Sequence, residues 1–271
     1  MLFKETKCPN CGAYHDQTLK QCPACHKSNE LFELNRLPKR VLFLHPLAQM
    51  GMFLIGFALT GMLFGQLFIG LFVSYTGWSK EVKSLVILSG AYILMLIGLL
   101  VVPLLTRRRL FLDRFKNGTD YIYGIAYAGT VVAVGSVVAS IIALMYKGDT
   151  NANQTEAELI INNYPIIAFV VLGIIGPLCE ELTYRVGLYS FLRRINKYLA
   201  FAITVVVFAL IHFDFTSENI VDELVSLPSY LSCGFILTLA YEHRGPACSM
   251  TAHIAYNLFA CITVLLKKYG Q

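Results

Sequence analysis

The chain is poor in charged side chains and rich in apolar ones. Asp, Glu, Lys and Arg make up 14% of its 271 residues, whereas hydrophobic residues make up 56%. An ordinary soluble domain is about 25% charged. At a mean hydropathy of +0.60, a soluble globule of this size cannot bury so much apolar surface, and the same figures exclude a disordered chain. What remains is a membrane protein with several spans, in contact with membrane lipids.

Other signals are also absent. The eight cysteines are too few for a disulfide scaffold, and the sequence contains no internal repeat. The net charge of +5 comes without a basic patch interleaved with aromatic residues, so we expect no nucleic-acid partner. Residues 1–40 lack the apolar core of a signal peptide, and we therefore expect a transmembrane helix to direct insertion.

The apolar runs predict an all-α polytopic membrane protein with about seven transmembrane helices, within a range of six to eight. A span needs about 20 apolar residues to cross roughly 30 Å of hydrocarbon. The runs are too long for a β-barrel and lack its alternation. The predicted spans are Leu47–Tyr75, Leu85–Leu105, Ile122–Tyr146, Ile166–Leu192, Tyr198–His212, Leu224–Tyr241 and Pro246–Leu266.

The distribution of Lys and Arg predicts the orientation. With a cytoplasmic N-terminus, the segments inside hold 16 of these residues and the segments outside hold 5. Such an excess is typical of cytoplasmic loops. We therefore expect a multi-pass protein with its N-terminus in the cytoplasm and its C-terminus outside. The compact N-terminal unit and short loops favour a prokaryotic plasma membrane.

Composition divides the chain into four parts. The first is a cysteine-containing ribbon, and the second is a short linker or interfacial segment. The third is apolar and contains almost no side chains suited to catalysis or ligand binding, while the fourth is apolar but contains many polar residues. The predicted boundaries are 1–36 for the ribbon, 37–46 for the linker, 47–146 for the N-terminal helices and 165–266 for the polar-containing core.

Two C-P-x-C turns in the ribbon carry Cys8, Cys11, Cys22 and Cys25. Paired turns of this kind are typical of a tetrahedral zinc site. A unit of roughly 25 residues cannot build a core, so the metal would supply its folding energy. Two disulfides or a redox pair are the alternatives. Four ligands leave no open position, so we predict a structural Zn²⁺ in a ribbon that binds a protein partner or another domain.

Polar side chains are concentrated in the last four predicted spans. An ionisable group in the bilayer is costly, so it should face the bundle interior and a partner. Counting helix rise from the predicted cytoplasmic ends brings these groups to a similar depth. The residues are Glu180, Glu181, Arg185, His212, His253 and Asn257.

Spacing within the helices suggests their roles. Glu181 and Arg185 are four residues apart, which favours an ion pair. Two adjacent carboxylates cannot both ionise cheaply, so Arg185 would hold one of them ionised and leave the other to titrate as a general base. His253 and Asn257 are also four residues apart and can donate two hydrogen bonds to an oxyanion. Structural hydrogen bonds between helices and a proton or ion pathway are the alternatives.

At these residues the chain resembles the CPBP family of intramembrane proteases, which comprises CAAX prenyl proteases and bacteriocin-processing (Abi) proteins. The family signature is E-E-x-x-x-R, then F-x-x-x-H, then H-x-x-x-N. The chain carries all three in this order, within 165–266. The N-terminal ribbon is an addition to the family core.

The resemblance implies a polytopic endopeptidase that hydrolyses membrane-associated or lipidated peptides or proteins. It implies that Glu180 and His212 activate a water, that Glu181 and Arg185 position this pair, and that His253 and Asn257 stabilise the oxyanion. A metalloprotease mechanism with a catalytic zinc stays open, although we favour a metal-free glutamate base because H-E-x-x-H is absent. The alternative functions are a non-catalytic scaffold or bacteriocin self-immunity protein that acts through the ribbon, and a proton-coupled transporter.

Overall fold

Helices make up most of the part of the chain that the computed structural model describes, which is residues 5–16, 19–28, 40–60, 63–147 and 152–270. In hydrocarbon the backbone must satisfy its own hydrogen bonds, so long apolar runs fold as helices. The helices are α1 (Pro46–Thr60), α2 (Leu63–Ser74), α3 (Lys80–Asp113), α4 (Gly118–Met145), α5 (Ala152–Asn163), α6 (Pro165–Arg193), α7 (Lys197–Leu210), α8 (Ile220–Arg244) and α9 (Pro246–Tyr269).

Five of these helices, α3, α4, α6, α8 and α9, are long and apolar enough to cross a membrane. The predicted span Tyr198–His212 corresponds to the shorter α7, which has 14 residues. The predicted span Leu47–Tyr75 corresponds to α1 and α2 in succession, and residues 61–62 between them lie outside the described part of the chain. The all-α membrane class is confirmed, and the count of seven spans stays a prediction.

A short antiparallel hairpin is the exception to the helical fold. Strands β1 (Glu5–Lys7) and β2 (Tyr14–Asp16) pair with Thr6 opposite His15. The hairpin lies inside the predicted ribbon and flanks its first C-P-x-C turn. Of the predicted linker 37–46, residues 37–39 lie outside the described residues, so the boundary between ribbon and linker stays a prediction.

The end of the linker packs in the core of the helical bundle. Four consecutive apolar residues, Val41 to Leu44, are buried although they are not helical. The backbone N–H of Leu42 donates to the Tyr241 hydroxyl at 3.2 Å, and Nε2 of Gln49 donates to the Leu42 carbonyl at 3.1 Å. These side chains supply hydrogen bonds to backbone groups that have no helical partner and are buried away from water. Residues 41–44, here called the strap, therefore fix the chain to α1 and α8.

Helix α6 contains two stretches of wider π-helix, Val171–Ile175 and Glu181–Tyr189. A π-helical turn displaces the regular hydrogen-bond ladder and is frequent at functional sites. Side chains supply additional bonds there: Nδ2 of Asn257 donates to the Leu172 carbonyl at 2.9 Å, and Oγ of Ser190 donates to the Arg185 carbonyl at 3.0 Å. The irregular segment is thus the one that carries the paired glutamates.

Gly187 allows α1 to approach this π-helical stretch closely. A Cβ at this position would lie 2.9 Å from the Phe53 nitrogen and 3.2 Å from the Gln49 oxygen, both of which are backbone atoms. Backbone atoms cannot move aside independently of their helix. A side chain at position 187 would therefore push α1 away from α6.

We predict that Gly187→Ala destabilises the protein by about 1–3 kcal/mol, the usual cost of overpacking. The matched control is Gly129→Ala in α4, where a new Cβ meets nothing within 4 Å and better helix propensity favours alanine. Thermal unfolding in detergent micelles measures both variants. Equal melting temperatures for the two would contradict the close approach of α1 and α6.

Candidate active site

A cavity of about 500 Å³ lies among α4, α5, α6, α8 and α9. Four of the six predicted site residues line it: Glu180 from α6, His212 from the turn after α7, and His253 and Asn257 from α9. The remaining lining is mostly small or aliphatic. The helical packing therefore brings together, around one cavity, a carboxylate, two imidazoles and an amide from three separate segments of the sequence.

Glu181 and Arg185 lie behind this cavity and are fully buried. Nη1 of Arg185 is 2.9 Å from Oε1 of Glu181, as the spacing of four residues predicts. The guanidinium also donates from Nη2 to the Gly234 carbonyl at 3.2 Å and lies 4.3 Å from the centre of the Phe208 ring. A buried charge needs such partners, and Glu181, Gly234 and Phe208 supply them to Arg185.

His253 lies between the two carboxylates. Its Nδ1 is 3.0 Å from Oε1 of Glu181, and its Nε2 is 3.8 Å from Oε2 of Glu180. Because an ionised carboxylate only accepts, Nδ1 carries the hydrogen in the first contact. The second distance exceeds that of a hydrogen bond. Within the described residues, Oε2 of Glu180 is buried and accepts no hydrogen bond, while Glu180 as a residue lines the cavity.

His212 is held by its backbone and by two rings. Its Nδ1 is 2.8 Å from the Phe208 carbonyl oxygen. A carbonyl only accepts, so Nδ1 donates and Nε2 of the neutral ring is left as an acceptor. The ring stacks on Tyr230, with centroids 4.5 Å apart and planes inclined by 17°, and it contacts Phe208 at 5.0 Å.

Asn257 lines the cavity but already uses one amide hydrogen. Its Nδ2 donates to the carbonyl of Leu172 in the first π-helical stretch. An amide group has two N–H donors, so one remains for a ligand. The predicted pairing of His253 and Asn257 on one face of α9 agrees with their shared cavity, and their role in binding an oxyanion stays a prediction.

Comparison with known proteins identifies the segment that contains these residues. Residues 162–259 match the family model described as Rce1-like, type II CAAX prenyl endopeptidase. The resemblance of this segment to CAAX proteases of the CPBP family is thereby confirmed. The match covers Glu180, Glu181, Arg185, His212, His253 and Asn257, and it leaves the ribbon outside. No solved structure matches the chain.

Three curated proteins are similar to this chain. The membrane-embedded CAAX protease MroQ of Staphylococcus aureus (strain USA300) is 32% identical over 162 residues, 56% of this chain and 62% of MroQ. The UPF0177 protein YvdC of Lactococcus lactis subsp. lactis (strain IL1403) is 28% identical over 135 residues, 49% of each chain. The UPF0177 protein YxdF of the same strain is 39% identical over 109 residues, 40% of this chain and 56% of YxdF. The chain thus spans about half to three-fifths of the length of these relatives.

Several residues that shape the site carry little or no signal in the sequence. Phe208 belongs to the F-x-x-x-H motif, and its ring contacts Arg185, His212 and His253. Tyr230 stacks on His212 and belongs to no motif. Glu181 hydrogen-bonds to His253, and its role in positioning Glu180 and His212 stays a prediction.

The four cysteines of the ribbon form a second site outside the matched segment. Their sulfur atoms all lie within 4.8 Å of one another, with Cys8 and Cys25 at 3.7 Å and Cys11 and Cys22 also at 3.7 Å. A tetrahedron with Zn–S bonds of about 2.3 Å has edges of about 3.8 Å. The backbone N–H of Lys27, followed by the Asn10 side chain, lowers the pKa of Cys25 to about 6, which favours the thiolate form that binds metal. The residues fit a metal ion.

The two C-P-x-C turns share one backbone pattern. In each, the first cysteine donates to the carbonyl five residues later and accepts from the N–H four residues later. The fourth residue after the first cysteine has positive φ in both turns, at +76° for Gly12 and 56° for His26. Glycine adopts this conformation without strain and histidine does not. The second turn therefore carries a strain that the first avoids.

We predict opposite effects of substitutions at these two positions. Gly12→Ala should weaken metal retention by about 1 kcal/mol, and His26→Gly should strengthen it by a similar amount. The control Ala24→Gly, at a position without positive φ, should give no gain. Competition for the metal with a chelating indicator measures all three. Weaker retention by His26→Gly would contradict the assigned strain.

Proposed function

We propose that the chain is a membrane-embedded endopeptidase that hydrolyses a peptide bond with a water activated by Glu180 and His212. The observation that carries this proposal is the convergence of Glu180, His212, His253 and Asn257 on one cavity within an apolar helical bundle. The CPBP-family match over residues 162–259 supports the same reaction class.

The arrangement suggests how the water is activated. Glu180 presents a buried carboxylate oxygen without a hydrogen-bond donor among the described residues, and His212 retains Nε2 as an acceptor. A water in the cavity would donate its two hydrogens to these acceptors, and its oxygen lone pair would then be directed at the substrate carbonyl. As the oxygen attacks the carbonyl carbon, the proton passes to Glu180. Glu180 later returns it to the departing amine as the C–N bond breaks.

His253 and Asn257 would stabilise the negative charge that develops on the carbonyl oxygen. Glu181 is neutralised by Arg185 and fixes Nδ1 of His253. Nε2 of His253 would donate one hydrogen bond to this oxygen, and Asn257 would donate a second from its remaining amide hydrogen.

The choice between a glutamate base and a catalytic metal is part of this proposal. Across the described ranges, the four cysteines are the only group of three or more His, Cys, Asp or Glu residues whose ligand atoms all lie within 4.8 Å of one another. Glu180, His212 and His253 are not gathered this closely, which favours water activation without a metal. A metal at these three residues would require them to move together.

The proposed substrates are membrane-associated or lipidated peptides and proteins. The cavity lining also includes aliphatic residues such as Ala143, Ile161 and Val264, which suit an apolar segment. The relative MroQ is named a membrane-embedded CAAX protease, and the proposal extends that class to this chain.

We propose that the N-terminus is cytoplasmic. Arg40 and Arg244 both pair with Asp120, at 3.4 Å and 3.7 Å, and Arg194 donates to the Leu44 carbonyl. The basic segments expected to lie inside thus meet at one end of the bundle. Residues of the segments expected outside meet elsewhere, where Lys268 donates to the Asn162 carbonyl at 2.7 Å. This segregation supports the orientation with the C-terminus outside.

We propose that the ribbon binds one structural Zn²⁺ and contacts a protein partner. Four thiolates close the coordination sphere, so the metal would stabilise the fold of the ribbon without an open position for a reaction. The cytoplasmic orientation keeps the thiols reduced and available to the metal.

The first test is Glu180→Gln, which removes the base but keeps the shape of the side chain. We expect at least a 1,000-fold loss of peptide cleavage, on the order expected when general-base and electrostatic contributions are lost together. The matched control is Glu218→Gln at an exposed position, which should retain activity. Proteomics of membrane peptides in cells with either variant identifies substrates. Unchanged cleavage by Glu180→Gln would rule out the proposed base.

The second test separates the ribbon from the reaction. We expect the wild-type chain to hold one zinc, the double variant Cys8→Ser/Cys22→Ser to hold none, and both to cleave peptides. Elemental analysis and a cleavage assay measure these outcomes. Two metals in the wild-type chain would favour a catalytic metal. Loss of function in the cysteine variant together with full function in Glu180→Gln would instead support a non-catalytic scaffold.

A further inference from the structure

One face of α8 contacts both the cavity and α5. Glu223, Ser226 and Tyr230 recur at intervals of three and four residues and therefore lie on the same side of the helix. Ser226 and Tyr230 line the cavity. The buried Glu223 accepts from the N–H of Ala152 at 2.9 Å and from the N–H of Asp214 at 3.1 Å. One carboxylate thus joins the start of α5 to the turn that carries His212.

Tyr230 makes a second connection between the same elements. Its ring stacks on His212, and its hydroxyl accepts from Nδ2 of Asn153 at 3.1 Å. Asn153 belongs to α5, whose residues Gln154, Ala157 and Ile161 also line the cavity. The aromatic ring therefore contacts the proposed catalytic imidazole at one side, while its polar end contacts the helix that covers the cavity.

The His212 ring needs such support because its other restraints leave a rotation open. The single hydrogen bond from Nδ1 to the Phe208 carbonyl restrains rotation of the ring about its Cβ–Cγ bond but still tolerates some change in that angle. Phe208 contacts the ring at 53°, a tilted geometry, whereas Tyr230 lies nearly parallel at 17°. The parallel ring fixes the plane and thereby the direction in which Nε2 accepts a hydrogen bond.

We propose that Tyr230 is a positioning residue that fixes the plane of the His212 imidazole through its ring, and that its hydroxyl couples this plane to the docking of α5 over the cavity. The catalytic part of this proposal rests on the proposed function. The aromatic ring of Tyr230 sets the orientation of the His212 imidazole. Phenylalanine at position 230 should therefore preserve this orientation, and an aliphatic residue should not.

The kinetic test compares Tyr230→Leu with Tyr230→Phe. A misdirected hydrogen-bond acceptor for the water costs on the order of 10- to 100-fold in rate, so Tyr230→Leu should lower kcat by about that factor while KM changes little. Tyr230→Phe should restore kcat to near the wild-type value and raise KM, because it keeps the ring and loses the hydrogen bond from Asn153. Tyr198→Leu, at an exposed position on α7, controls for the substitution type. The probe is a pool of fluorescence-quenched apolar peptides in detergent micelles.

A spectroscopic test does not depend on cleavage. Selective isotope labelling of the six histidines, with His212→Gln to assign the signal, reports the tautomer and surroundings of the His212 ring. In the wild type we expect the Nδ1–H form and an upfield ring-current shift of the carbon-bound proton between the two nitrogens. Both should persist in Tyr230→Phe, and the upfield shift should be lost in Tyr230→Leu.

The outcomes separate this inference from the proposed function. Equal cleavage by the wild type and Glu180→Gln would overturn the proposed function, while the spectra would still test the contact of Tyr230 with His212. Wild-type kcat in Tyr230→Leu would overturn the positioning role alone. If Tyr230→Leu does not fold, absence of the upfield shift in the wild-type protein would overturn the inference.

Discussion

The burial of Arg185 is the constraint on which the arrangement of the helices around the cavity depends. An unpaired guanidinium inside a membrane protein is costly, and Arg185 is fully buried. Its partners come from three helices: the Glu181 carboxylate in α6, the Phe208 ring in α7 and the Gly234 carbonyl in α8. A displacement of α7 or α8 would separate the guanidinium from one of these partners. The charge of Arg185 therefore favours the one packing arrangement of α6, α7 and α8 that keeps all three contacts.

The same ion pair explains how two neighbouring carboxylates can differ in chemistry. Glu181 is engaged by Arg185 and by His253, so its charge is balanced and its position is fixed. Glu180 faces the cavity, and among the described residues its ionic partner is His253, at 3.8 Å. One carboxylate thus stabilises the structure while the other is available for a reaction. The same pattern, in which surroundings separate two like groups, underlies many general acid and base assignments.

The ribbon and the helical bundle are stabilised in different ways, and the strap belongs to the bundle. The ribbon has too small a core to fold by apolar burial and fits a metal ion through four sulfur atoms. The helical bundle is held by packing and by buried polar contacts. The strap enters the bundle beside Tyr241, whose hydroxyl also contacts Oγ of Ser190 at 2.8 Å, and Ser190 in turn bonds the Arg185 carbonyl. A short series of hydrogen bonds therefore connects the strap to the π-helical stretch that carries Glu181.

Features that depend on neighbours in the sequence were predictable. The apolar runs indicated the long helices, the spacing of four residues indicated the pair Glu181–Arg185, and two short turns indicated the cysteine cluster, because each follows from local geometry. The ordered motifs also indicated four of the residues that line the cavity, Glu180, His212, His253 and Asn257.

Features that arise from packing between distant segments were not predictable. The hydropathy of α5 is too low to indicate a membrane helix. Its position beside the cavity depends on contacts with distant segments, which the local sequence does not indicate. The contacts of His253 with Glu181, Asn257 with the Leu172 carbonyl and Tyr230 with His212 depend on the rotation and depth of whole helices. Hydropathy fixes neither the rotation nor the depth of a helix, because lipid solvates any apolar face equally well. Packing against the neighbouring helices decides both.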